Sequence, residues 1–120
     1  MTDLRAHKYR ARRFVEQQQR CFYCGFPMWN RRPTRFAKRF GISLKEAKRF
    51  RCTAEHVEAR CNGGSSRQDN IVAACWHCNH HRHELTVAPD AARYRAHVKG
   101  RVARGAWHPH WLHKMLLTLV

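Results

Sequence analysis

The spacing of the cysteines limits what this chain can fold into more than any other feature. Four of its six cysteines form two pairs, Cys21-x-x-Cys24 and Cys75-x-x-Cys78, set far apart in the sequence. Two thiolates spaced by two residues can face one tetrahedral ion, and Gly25 after the first pair lets that turn close. The spacing therefore predicts a structural zinc shared by Cys21, Cys24, Cys75 and Cys78 rather than a disulfide framework. Residues 1–20 are charged and helix-like instead of an apolar leader, so a reducing, cytoplasmic setting is expected. One domain of 120 residues has little core to spare once basic arms are set aside, and a zinc staple offsets that shortage. Cys52 and Cys61 fall outside the pairs and are expected as packed free thiols.

The net charge is +16, which points to a polyanionic partner. Its distribution says more. Residues 1–20 hold six Lys/Arg against two acids, 31–51 nine against one, and 86–120 six against one, whereas 52–85 hold three against four. The flanks suit phosphates and the middle suits a cation. A generic basic protein would account for the sum but not for that segregation. No apolar run is long enough to cross a membrane, so a membrane is not the expected partner.

Five segments follow from the pattern, all within a single domain 1–120. Residues 1–20 read as a basic helix with Leu4, Tyr9, Phe14 and Val15 on one face and Thr2 or Asp3 as cap. Residues 21–30 are the first zinc knuckle. Its aromatic cluster Phe22, Tyr23, Phe26 and Trp29, with Met28, is expected as packing rather than as a base-stacking surface. Residues 31–51 read as a basic helical insertion broken at Gly41, with Ser43 and Glu46 as a capping box. The Ala37–Gly41–Ile42 spacing loosely resembles a helix-turn-helix reader, though an inserted helix pair carries the same punctuation. Residues 52–85 hold two β-like runs and a helix. Residues 86–120 form a C-terminal helical extension, helical from Asp90 to Arg104 and stopped at Gly105, with Trp107, Pro109, Trp111 and Leu112 folding back.

The chemistry concentrates between Cys52 and His83. Glu55-His56 ends the first β-like run, Gly63-Gly64 marks a turn, Asn70 opens the second run, and Asn79 follows directly on Cys78. A carboxylate, an imidazole and an amide on two short strands and a helix suit metal-assisted phosphodiester cleavage. The order CxxC, Glu-His, Gly-Gly, Asn, CxxC-Asn resembles the HNH endonucleases, over about residues 21–83. That resemblance implies an α+β fold: a small ββα-metal core with a four-cysteine zinc and flanking basic helices. It also implies a metal-dependent hydrolase of DNA phosphodiesters, with His56 as general base. Asn70 would tie the hairpin and orient His56. Glu55 and Asn79 would hold the catalytic ion, with His83 as a third ligand. Hard Mg²⁺ or Mn²⁺ suits that oxygen set, and Ni²⁺ or Zn²⁺ competes if His83 binds.

Two letters depart from the common pattern. Glu55 stands where relatives most often carry Asp or His, and Asn79 where many carry His. Neighbours on a strand also point to opposite faces, so Glu55 and His56 reach one cleft only if the strand bends, bulges or ends there, and such an irregularity is expected. Arg60 and Arg82 are candidates for the charge that builds on the phosphate. Arg35, Lys38, Arg39, Lys45, Lys48 and Arg49 would lie along double-stranded DNA. The alternative is a zinc-stapled DNA- or RNA-binding module without catalysis, and a ribonuclease is a further variant of the enzyme reading.

Overall fold

In the computed structural model, residues 3–59 and 62–119 are described, 118 and 119 by backbone alone. Thr2, Arg60 and Cys61, all singled out from the sequence, lie outside the described residues. The fold is α+β. Helix α1, Leu4–Glu16, is capped by Asp3, whose carboxylate accepts the Ala6 N–H at 3.0 Å. The chain then reverses through Gln18 and Gln19, both in the left-handed region at φ 57° and 63°. This turn sends Gln17 to the free edge of the sheet. Its Oε1 accepts the Ala73 N–H at 3.0 Å and its Nε2 donates to the Ala73 carbonyl at 2.8 Å, doing for that edge what a third strand would.

Helix α2, Pro33–Phe40, starts on a proline and stops at Gly41, whose φ of 63° is the left-handed C-terminal cap that only glycine adopts without strain. The capping box is present: Ser43 Oγ accepts the Glu46 N–H while the Glu46 carboxylate accepts the Ser43 N–H. It starts α3, Leu44–Ala47, which tightens into a 3₁₀ turn at Lys48–Phe50. Ala47 and Phe50 are fully buried. A four-residue helix packed in this way presents no recognition face, so the resemblance to a helix-turn-helix stops at its punctuation.

Strands β1, Cys52–His56, and β2, Ile71–Cys75, form an antiparallel hairpin with an unbroken register from Cys52 opposite Cys75 to His56 opposite Ile71. Helix α4, Trp76–His83, follows β2 without a linker. Helix α5, Ala91–Ala103, is capped by Asp90 and stopped near Gly105, and a 3₁₀ segment, His110–Leu119, closes the chain. The core gathers Tyr23, Phe26, Met28, Phe50, Val98, Leu112 and Met115 around the cysteines, with Phe26 and Phe50 stacked at 5.7 Å. The aromatic cluster after the first knuckle is thus mostly packing.

The hairpin is sandwiched, and this positions everything below. Asn79 and His83 of α4 reach Thr53 and Glu55, while Arg10 of α1 and Cys52 line one pocket on the other side. Because side chains alternate along a strand, Thr53 and Glu55 face α4 while Cys52 and His56 face α1. Burial pushes the Cys52 thiol up to about 11, which makes it the inert packed thiol expected of it.

Candidate metal centre and catalytic cleft

Both cysteine pairs converge. The Sγ atoms of Cys21, Cys24, Cys75 and Cys78 lie within 4.8 Å of one another, and all four residues are buried. Cys24 and Cys75 are 3.9 Å apart, against about 3.8 Å for two sulfurs bound tetrahedrally to zinc at about 2.3 Å. The residues fit a structural zinc. Burial alone would raise the Cys21 thiol, yet hydrogen bonds from the other three cysteines hold it well below its usual value, while Cys24 and Cys78 are pushed well above theirs. Four buried thiolates cannot all carry charge without a cation between them.

Every sulfur also accepts an N–H. Cys21 takes those of Tyr23 and Cys75 at 3.3 Å, and Cys75 takes that of Cys78 at 3.4 Å. The other two donors come from the C-terminal extension, turned back at Gly105 with its φ of 66°. Trp107 Nε1 donates to Cys78 at 3.3 Å, and His108 Nε2 to Cys24 at 3.5 Å. The His108 tautomer is settled by Arg49, a pure donor that approaches Nδ1 at 3.0–3.2 Å, so the ring proton must sit on Nε2. Burial, then the Arg49 charge, lowers the His108 pKa to about 2, so the ring stays neutral. Donors to metal-bound thiolates tune the bond, and their loss typically costs 10–100-fold in metal affinity. His108→Ala should therefore give up its zinc roughly tenfold or more readily to a chromophoric chelator, with the fold restored at excess zinc.

On the α4 face, Glu55 is 1% exposed and fully engaged. Its Oε2 accepts from Tyr23 Oη at 3.0 Å and Arg82 Nη1 at 3.2 Å, and its Oε1 lies 3.0 Å from His83 Nε2. Asn79 lies alongside, its Nδ2 donating to Thr53 Oγ1 at 3.0 Å and the Ala54 carbonyl at 3.2 Å. Thr53 Oγ1 already donates to the Ala74 carbonyl, so it can only accept from Asn79. The amide is thereby oriented, and no hydrogen bond from a described residue reaches Asn79 Oδ1. Glu55 Oε1 and His83 Nε2 thus meet in a hydrogen bond that the ring nitrogen donates, and Asn79 stands one helical turn before His83 on the same face of α4.

His56 sits elsewhere. The register is regular through His56, so the irregularity expected at Glu55-His56 is not a bulge; β1 simply ends there. The His56 ring lies on the α1 side, its Nε2 3.1 Å from Ser66 Oγ. Ser66 in turn donates to Asp3 Oδ2, which as a carboxylate only accepts. The Ser66 proton being committed, Ser66 Oγ accepts from His56 Nε2, which fixes the ring against the loop. Asn70 ties the loop instead of the ring: its Oδ1 accepts the Glu58 N–H at 2.7 Å, and its Nδ2 donates to the carbonyls of Glu58 at 3.1 Å and Ser65 at 2.8 Å.

Residues 43–85 match the HNH endonuclease family. This segment is similar to HNH domains. It covers about a third of the chain and includes Glu55, His56, Asn70, Asn79 and His83, with Cys75 and Cys78. The first knuckle, α1 and the C-terminal extension lie outside the match. Neither curated proteins nor solved structures return a match. The match suggests a nuclease or nucleic-acid-binding role for this segment.

The cations expected along DNA divide in two. Arg35, Lys38, Arg39, Lys45 and Lys48 are exposed on α2, α3 and the 3₁₀ turn. Arg49 is half-buried against His108. Arg82 is a correction: at 2% exposed it cannot meet a phosphate. Its guanidinium bonds Glu55, Tyr23 and the carbonyls of His56, Val57 and Pro89. Tyr23 and Trp107, expected from the sequence only as packing and fold-back, touch Glu55 and Cys78, and Ser66 and His108, which no motif singles out, touch His56 and Cys24.

Proposed function

We propose that this chain is a metal-dependent endonuclease acting on double-stranded DNA, built on its HNH domain. The observation that supports this most is the meeting of Glu55 Oε1 and His83 Nε2 at 3.0 Å, with Asn79 one helical turn before His83 on the same face of α4. Glu55, Asn79 and His83 would hold Mg²⁺ or Mn²⁺, and the imidazole keeps Ni²⁺ and Zn²⁺ competitive. Such an ion, once bound, supplies positive charge to the phosphate and the leaving oxygen. Arg82 and Tyr23 occupy Glu55 Oε2, so the carboxylate offers one oxygen, and the guanidinium charge beside it keeps metal affinity modest.

His56 serves as general base through Nδ1, taking the proton of the attacking water at the open end of β1. Ser66 and Asp3 hold its ring, and Asn70 holds the loop that carries Ser66. The exposed cations of α2 and α3 bind the phosphate backbone without reading sequence.

One observation favours a second reading, a zinc-stapled binding module: Glu55 is saturated by three partners while the His56 ring faces α1. Plasmid relaxation with Mg²⁺ or Mn²⁺ separates the two. The wild type should nick or linearise supercoiled DNA, and His56→Ala should lose about 10²-fold or more of that rate. Equal cleavage by both proteins refutes the role of His56; no cleavage by either leaves the binding module.

A further inference from the structure

A groove of about 510 Å³ opens between the α3 region and the start of α4, lined by Trp29, Lys45, Lys48, Arg49, Arg51 and Trp76. Two indoles, four cations and no carboxylate make an unusual lining, and apart from Arg49, which holds His108, none of it serves the zinc or the cleavage chemistry. Trp76 is 39% exposed although it opens the helix that carries Asn79 and His83. One face of its indole stacks on His80 at 4.5 Å and 11°, and His80 is held in turn by Glu84 at 3.1 Å.

The opposite wall is equally fixed. Trp29 Nε1 donates to the Ala47 carbonyl at 2.7 Å, and its backbone bonds Phe50 and Cys52. The Trp76 N–H bonds the Arg51 carbonyl at 2.8 Å, which ties the two walls together. Aromatic rings already locked in place lose little freedom when a ligand stacks on them.

We propose that this groove binds an unpaired nucleobase of the nucleic acid, stacked on Trp76, with its flanking phosphates on Lys45, Lys48 and Arg51. Flat aromatic faces take any base, and surrounding cations hold the strand; this is how single-stranded nucleic acid is gripped without sequence reading. A base within a duplex is covered on both faces by its neighbours and has none to offer. With Arg49 turned to His108 and Lys45, Lys48 and Arg51 taken by phosphates, no lining group is left to read a base edge, so the site distinguishes unpaired from paired and not one base from another.

Its place on α4 links it to the cleft. Trp76, Asn79 and His83 recur at helical spacing on one stripe, and at 1.5 Å per residue Trp76 lies about 4.5 Å from Asn79 and about 10 Å from His83 along the axis. At about 3.4 Å per stacked nucleotide, this is one to three nucleotides from the candidate cleavage position. Taken with the nuclease reading, on which this part rests, the preferred substrate has single-stranded character beside the cut, as at a branch, gap or mismatch.

The test reads binding alone, so that it stands apart from cleavage. Full-length, zinc-loaded protein is titrated, without added divalent ion, into a short oligothymidylate and into a hairpin duplex of similar length, each also made with one 2-aminopurine. Wild type should quench 2-aminopurine in the single strand. Trp76→Ala should abolish the quench and weaken single-strand binding about tenfold or more, while duplex binding falls less than about threefold. Trp76→Phe, which keeps an aromatic face, should retain most of both. No quench by wild type, or equal losses on the two ligands, overturns the proposal; equal zinc content in all variants excludes misfolding. If relaxation assays show no cleavage but this pattern holds, the groove stands and the nuclease reading falls. If cleavage is present and the pattern absent, the reverse follows.

Discussion

Stripping the metal from the cysteine cluster should unfold this protein, and Cys75→Ser should not fold at all. Structural zinc in small domains contributes about 10–16 kcal/mol, while a whole domain is stable by only about 5–15 kcal/mol. Without the ion, the four buried sulfurs lose the one partner able to balance their charge. Cys75 is the most sensitive of them because it serves three elements. It is the last residue of β2, its sulfur accepts the Cys78 N–H that starts α4, and its own N–H bonds Cys21. A serine there keeps a cap but removes a thiolate. The loss of helical circular dichroism on adding a chelator, with recovery on adding zinc, measures the effect. A Cys75→Ser protein with wild-type melting behaviour would mean that the cluster is mere packing.

The parts of the fold that the sequence revealed are those governed by local chemistry. The CxxC pairs, the Gly41 cap, the Ser43–Glu46 box and the Asp90 cap each depend on residues a few positions apart, and each appears where the spacing puts it. The hairpin was legible too, since Gly63-Gly64 separates two β-prone runs. What stayed hidden depends on long-range placement. Arg82 sits in the run Trp76–His83, where five of eight residues are His or Arg, and its burial beneath Tyr23 and Pro89 leaves no trace in that spacing. His108 meets Cys24 only because Gly105 turns the chain back. Glu55 and His56 are adjacent, and the regular register up to the end of β1 keeps the alternation that sends one to α4 and the other to α1. In the proposed nuclease the two would have to act from opposite faces at the end of β1, where Arg82 bonds both Glu55 and the His56 carbonyl.

Arg82→Ala should therefore be the most destabilising single change outside the zinc cluster. Arg82 and Glu55 form an ion pair with side chains only 3% and 2% exposed, and removing one partner of such a pair strands the other charge, a cost of about 3–5 kcal/mol. In a domain of this size that is a melting temperature lower by roughly 10–25 °C. Arg82→Lys should recover little, because one ammonium cannot replace a fork that spans Glu55, His56, Val57 and Pro89. The double variant Glu55→Gln with Arg82→Met removes both charges and should regain much of the stability, since apolar replacement of a buried ion pair is often neutral. It should still fail to relax plasmid DNA, having lost the carboxylate oxygen that faces His83. Thermal melts at saturating zinc, read beside plasmid relaxation, separate the two roles of this pair. A double variant that melts normally and still cuts would show that Glu55 is a structural acid and that the divalent ion is held elsewhere.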